Sequence, residues 1–472
     1  GECLSMQPSA TFAEYRIIVL VSLKWILLGV LVGLFAGVAS AVFLVGLEWA
    51  TATRLANPTL LVLLPLAGFA VGWVYHRLGG AAGRGSNLVI EEARATRARI
   101  PLRMTPLVLV GSVVGHLFGA SIGREGSAVQ MGASLADTLR RVLRLRHRDR
   151  RLMIMAGISG GFGAVFGTPI AAFLFGMEVQ SAGRIRYDGL VPCFAAAFAG
   201  DWIVRRLGIH DAHISHLPDL SVDPILGVKI SLAAIAFGVM ALAFIEFTHA
   251  VKHLAKRIAY PPLRPFLGGV VILALTGILG TNDYLGLGSP LIAAALNGTG
   301  VPTLAFFWKM IFTGICLGMG FVGGEVTPLF FMGATLGSVL GKPLGIEPTL
   351  LAAVGFVAVF AAASNTPLAT AIMGVELFGG GAILYLFLGT LISYLTVGHR
   401  GIYGSQMVAV TKAYGVPIRS ESTLEEVQHK RQEQANGSVF ARLLSVGLFS
   451  LRRPRTPDEQ PEDDQANDGN GG

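Results

Sequence analysis

What most limits the folds open to this chain is a succession of long apolar tracts that carry very little charge and are repeatedly cut by glycine. They run at about 17–55, 59–78, 105–120, 152–177, 187–207, 223–248, 264–280, 289–320, 326–341, 348–378 and 380–398, where one perpendicular bilayer crossing takes about 20 residues. Of the 472 residues 14% are charged and 53% hydrophobic, with a mean hydropathy of +0.62. Soluble domains carry about 25% charge, so too few charges are left to cover a water-facing surface. An all-α polytopic membrane protein is predicted. Many tracts are too short or too long for a single crossing, and the 61 glycines fall throughout them. Broken, tilted and re-entrant helices are therefore expected, a backbone tolerated at membrane depth only where it is buried in protein or lines a cavity.

The net charge of +8 does not indicate a nucleic-acid partner, because the basic residues gather in short runs between tracts, such as Arg94 to Arg103 and Arg140 to Arg151. Such runs mark cytoplasmic loops facing anionic lipid. Cys3, Cys193 and Cys316 are scattered, which suggests neither a disulfide framework nor a metal site. His210, His213 and His216 lie near Pro218 without a carboxylate partner and read as surface groups rather than metal ligands. No cofactor is indicated. Residues 1–16 are polar and mixed, lack a cleavable signal pattern, and are expected to form a cytoplasmic segment. Residues 416–472 are expected to form a polar cytoplasmic tail, with a short helix over Ser420 to Asn436, a partly disordered end, and no further folded domain.

An internal repeat organises residues 17–415 into halves of about 17–207 and 223–415. Met131-Gly132-Ala133-Ser134-Leu135 returns as Met332-Gly333-Ala334-Thr335-Leu336, each after a glycine-rich turn: Gly123-Arg124-Glu125-Gly126 and Gly323-Gly324-Glu325-Val326. A second echo follows, Ala164 to Pro169 with Glu178 against Ser364 to Pro367 with Glu376. Two blocks in the same order point to a pseudo-symmetric transporter whose half-helix N-termini meet at an anion. Glu178 and Glu376, at matching places, read as helix-end caps.

Gly123 to Ser127 precedes an apolar helix, and its glycines leave backbone N–H donors at the positive end of a helix dipole. An ionised Glu125 can occupy such a site in competition with an anion, and protonation frees it to leave. One side chain can thus serve as gate and proton carrier, although a plain helix cap would use the same residue type. These residues resemble the GREG motif of the CLC family of anion channels and transporters. Gly323 to Pro328 is similar to that family's GGxFxP segment, Gly401-Ile402-Tyr403-Gly404 to the stretch with its central tyrosine, and Gly85-Ser86-Asn87-Leu88-Val89 to the stretch with its central serine.

The resemblance covers about residues 20–415. It implies two inverted-topology repeats, a homodimer with a pathway in each subunit, and residence in the cell inner membrane as a multi-pass protein. By the same resemblance Glu125 is the gating and proton-coupling glutamate. Ser86, Asn87, Gly123, Arg124, Gly126, Val326, Thr327 and Tyr403 are the anion-binding candidates. The inner glutamate of the family's chloride/proton exchangers is matched here by Val179, and a carboxylate stands instead at Glu325 in a GGEVTP sequence. That form resembles the fluoride/proton antiporters of the family and makes Glu325 a second proton-coupling candidate, against the alternative of a static cap or arginine partner. Fluoride antiporters carry methionine or asparagine at the central serine position, whereas Ser86 keeps a hydroxyl and Asn87 follows it. The function implied is export of fluoride in exchange for protons, with a chloride/proton exchanger or a passive anion channel as alternatives. An intramembrane enzyme would need a nucleophile–base pair or metal-ligand set such as HExxH, and the sequence carries neither.

Overall fold

The computed structural model describes residues 8–95, 99–209, 216–413, 416, 418 and 421–436. Among them the first repeat contributes α1 (Pro8–Ala56), α2 (Leu64–Val74), α3 (Ser86–Ala95), α4 (Met104–Leu117), α5 (Glu125–Val142), α6 (Arg150–Phe166), α7 (Pro169–Glu178) and α8 (Leu190–Arg206). The second contributes α9 (Pro224–Ala255), α10 (Leu263–Leu279), α11 (Ser289–Leu296), α12 (Ala305–Gly318), α13 (Val326–Leu344), α14 (Pro348–Ser364), α15 (Pro367–Phe378) and α16 (Ile383–Val397), and α17 (Leu424–Asn436) follows. Helix answers helix in order, down to equal lengths of 14 residues for α4 and α12 and 17 for α6 and α14.

Four stretches, Glu14–Ala56, Pro58–Arg94, Pro224–Ala255 and Gly380–Val397, are long and apolar enough to cross a membrane. At 1.5 Å per residue the 49 residues of α1 extend about 70 Å, more than twice the hydrocarbon thickness, so α1 must tilt or project from the bilayer. Ile17, Leu27, Val38 and Trp49 on α1 stay exposed, as a lipid-facing surface requires. Residues 8–16, expected as a separate segment, have the backbone of α1, because extending a formed helix costs far less than starting one. Residues 1–7, His210, His213 and the end from 437 lie outside the described residues. His216 lies against Gly379.

The tracts at 152–177 and 348–378 each split into two helices at equivalent points. Gly167 (φ +73°) and Asn365 (φ +56°) turn left-handed and end α6 and α14, and Pro169 and Pro367 open α7 and α15. Glycine and asparagine tolerate that backbone, and proline has no N–H to lose at a first helical position. Each new helix start is capped from the other repeat. Glu178 accepts hydrogen bonds from the Leu368 and Ala369 N–H groups at 3.2 and 2.8 Å. Glu376 accepts from Ile170 and Ala171 at 3.0 and 2.6 Å. This reciprocity is the signature of a two-fold relation between inverted halves.

Small residues let the helices in each half approach closely, as van der Waals packing in lipid favours. A Cβ on Gly132 would meet Gly157 O at 2.2 Å, and one on Gly333 would meet Gly355 O at 2.0 Å, so α5–α6 and α13–α14 close in the same way. In the first half a buried ion cluster adds a polar tie. Arg150 donates to Glu92 at 2.7 Å and to both oxygens of Asp137 at 2.6 and 3.2 Å, joining α3, α5 and α6. Replacing Arg150 by Met removes the guanidinium that bonds both buried carboxylates. We expect this to cost about 3–5 kcal/mol, measured as a lower Tm and folded yield in detergent; an unchanged Tm would show the cluster to be dispensable.

Candidate functional site

The starts of α5 and α13 meet head to head. Gly123 donates to Gly324 O at 2.5 Å and Gly324 donates back to Gly123 O at 2.8 Å, an antiparallel bridge between the two glycine-rich turns. A Cβ on Gly324 would fall 2.8 Å from Gly126 N, and one on Gly123 would fall 2.9 Å from Gly324 O. Only glycine permits this approach. Two helix N-termini, with their unpaired N–H groups and positive dipole ends, are thus directed at one buried region.

Glu125 is the first residue of α5 and is fully buried. Its Oε2 accepts from the Thr327 N–H at 3.1 Å and the Thr327 hydroxyl at 2.6 Å, and Arg124 Nε lies 3.4 Å from Oε1. The carboxylate of one repeat therefore occupies the donors that open the other repeat's helix, which is where an inorganic anion would be bound. Glu325 is the residue before α13, and its carboxyl pairs with the Tyr403 hydroxyl within Coulombic range of Glu125. The Met131/Met332 register sets Glu125 opposite Val326 and Arg124 opposite Glu325. The two glutamates are therefore not counterparts, although their turns look alike in sequence. Offset by one residue, they reach the same place from different positions on the two turns.

Ser86 opens α3 on the α5 side of this centre and accepts from Gln130 Nε2 at 3.2 Å. A Cβ on Gly126 would lie 3.5 Å from Glu325 Oε2 and 3.7 Å from Ser86 Oγ, so these groups face one another across the glycine. Thr327, Glu125, Glu325, Tyr403, Gly126 and Ser86 come together. Val326 is buried beside them as the first residue of α13. The Asn87 amide oxygen accepts from the Ser405 N–H and hydroxyl at 3.2 and 3.1 Å, and so holds the turn that carries Tyr403.

That turn has two further anchors that sequence reading passed over. Gln406 donates to Val179 O at 2.9 Å and Ser364 O at 3.0 Å. Asn365 donates to Arg400 O at 2.9 Å and Gln406 Oε1 at 3.0 Å. Val179 is buried and joins the region through its backbone carbonyl. Gln130, Asn365 and Gln406 share one sequence signal: an amide side chain inside or beside an apolar tract, where burial obliges it to find partners.

Because Gly126 separates Glu325 from Ser86, the change Gly126→Ala would fill the space between them and bring its Cβ within 3.0 Å of Gly324 Cα. We expect ion flux in liposomes to fall about tenfold or more, the scale of a misplacement well under 1 Å at a reacting centre, while Tm moves little. Full flux would show that no ion passes there.

A family model described as "Voltage gated chloride channel" matches residues 67–398. The chain is 46% identical over 426 residues to a Pseudomonas syringae protein named "Chloride/fluoride channel protein", covering 88% of this chain and 93% of that one. It is similar to the crystal structure of a CLC-type fluoride/proton antiporter, with a TM-score of 0.79 and 30% identity over 85% of this chain and 99% of the other. A slow cyanobacterial chloride/proton antiporter shares the fold at 19% identity, with a TM-score of 0.70 over 88% of this chain and 99% of that chain.

Proposed function

The chain belongs to the CLC family of anion channels and transporters, a membrane-embedded family, and from that premise we propose that it is a proton-coupled antiporter exporting fluoride in exchange for protons. The observation that carries the reading is the Glu125 carboxylate held by the Thr327 N–H and hydroxyl, with the Glu325–Tyr403 pair beside it. A carboxylate bound where an anion would be bound is a competitor for that anion, and protonation removes its claim. The likeness to a solved fluoride/proton antiporter supports fluoride as the anion.

In the proposed cycle Glu125, ionised, closes the centre. A proton arriving on it releases its hold on Thr327, and fluoride takes up the vacated donors from the side of Ser86 and Tyr403. The proton passes to Glu325, which lies within Coulombic range of Glu125 and pairs with Tyr403. Glu325 thus does the work that an inner carboxylate at Val179 would otherwise do. Fluoride holds its water tightly, so a site for it must supply several strong donors. The Thr327 N–H and hydroxyl, the Tyr403 hydroxyl and the Ser86 hydroxyl are the set. Gly123, Arg124 and Val326 shape the helix starts, Gly126 leaves the space between them, and Asn87 positions the Tyr403 turn. By family we also propose a homodimer in the cell inner membrane, each subunit with its own pathway.

A passive channel is the second reading, favoured by the name of the Pseudomonas syringae relative. Liposomes loaded with fluoride or chloride, with halide efflux and proton uptake recorded together, separate the two. We expect fluoride efflux to drive protons uphill, Glu125→Gln to abolish that coupling, and Glu325→Gln to slow exchange by roughly a hundredfold or more, the usual cost of removing a positioned proton carrier. Fluoride flux without proton movement would make the protein a channel. Chloride turnover as fast as fluoride would remove the fluoride assignment.

A further inference from the structure

On the far side of Glu125 from Ser86, three basic side chains converge on one backbone position. Ser112 on α4 meets Ser127 on α5 at 2.8 Å, so His116, one turn further along the antiparallel α4, lies beyond the α5 start. Ser86, by contrast, meets α5 down its length at Gln130. Gly286 is the meeting point. A Cβ there would lie 3.2 Å from an Arg54 guanidinium nitrogen and 4.0 Å from His116 Cδ2, and Lys309 Nζ bonds the Gly286 carbonyl at 2.6 Å. The three come from α1, α4 and α12, and Arg124 adds its charge to the field at His116.

Among the described residues neither Arg54 nor Lys309 forms an ion pair, and His116 hydrogen-bonds only the Ser112 carbonyl. Lys309 is satisfied by the Tyr284 and Gly286 carbonyls, and the last turn of α1 favours a cation at Arg54. Neither contact supplies an acceptor for Arg54 Nε, which is buried without a hydrogen-bond partner; His116 Nε2 is also unpartnered and carries the ring's lone pair, because Nδ1 donates to Ser112 O. Arg54 is 9% exposed and His116 1% exposed. Clustered cations this deep in a membrane protein are costly unless an anion offsets them. Beside Arg54 lies a cavity of about 60 Å³, lined by Arg54, Leu55, Pro58, Leu61, Asn282 and Leu285, large enough for a small halide with some of its water.

We propose that Arg54, His116 and Lys309 form a second halide-binding site, on the approach to Glu125 opposite Ser86, where an exported anion is held after it leaves the Thr327 donors. The site rests on the functional reading only for its place in export; its binding chemistry stands without it. The Arg54 guanidinium supplies hydrogen bonds, Lys309 supplies field from a fixed position, and His116 forms the wall between them. A halide held there by Arg54 and Lys309 would be drawn past Glu125 rather than back towards Ser86.

Bromide, which scatters anomalously, tests the site directly in crystals of the wild type, Arg54→Gln and Arg54→Lys. The expected result is a bromide peak within hydrogen-bond distance of Arg54, lost in Arg54→Gln and regained in Arg54→Lys. In flux assays Arg54→Gln should raise the half-saturating fluoride concentration about tenfold, the scale of one charge-assisted hydrogen bond, with the proton-to-fluoride ratio unchanged. A wild-type crystal with no bromide at these cations, or a peak indifferent to Arg54→Gln, overturns the proposal. If the wild type moves no fluoride, the antiport reading fails and the bromide peak alone decides the site.

Discussion

The reciprocal pair of backbone hydrogen bonds between Gly123 and Gly324 is the contact on which the rest of the site depends. It sets the N-termini of α5 and α13 against each other at a spacing no side chain could permit, and it leaves their remaining N–H groups facing a common interior. With that bridge in place, a glutamate at the first position of α5 has Thr327 within reach and a glutamate just before α13 has Tyr403. Shifting either helix start by one residue would turn these carboxylates about 100° around their helices and away from the centre.

The same contact explains why so much polar chemistry survives in so apolar a chain. Several polar groups near the centre are held by partners far away in the chain. Glu125 on Thr327, Asn87 on Ser405, and Gln406 on Val179 and Ser364 all join segments distant in sequence. Where partners are complete, the burial of these groups makes them rigid rather than merely expensive. At Arg54 and His116 they are incomplete, and a cavity of about 60 Å³ lies beside Arg54.

Much of this was legible in the sequence, for physical reasons that can be named. Membrane class follows from a shortage of charge, and broken helices follow from glycine and from the left-handed residue plus proline at Gly167-Thr168-Pro169 and Asn365-Thr366-Pro367. The repeat was visible because duplicated helices keep their small packing residues, Gly132 and Gly333 among them. The offset between Glu125 and Glu325 is fixed by the Met131/Met332 register, but two glycine-rich turns that look alike conceal it, and the helix starts make it plain. The link between Asn87 and Ser405 was hidden because the two are separated by most of the chain. The cluster at Gly286 was invisible for a similar reason: its cations come one each from α1, α4 and α12, and each looks alone. Lys309, a single charge inside the apolar run Phe306 to Phe312, was the one visible sign.

The crossed caps at Glu178 and Glu376 have a consequence for how such a chain is made. The Ile170 and Ala171 amides lose their orphan status only when Glu376 has been synthesised, long after α7 itself has left the ribosome. The first half must therefore wait in the membrane with an uncapped helix start, a state that lipid penalises and water near the insertion machinery can relieve. Neither half is a finished folding unit by itself, so interlocking at the end of synthesis, rather than stepwise completion, is the route this architecture imposes.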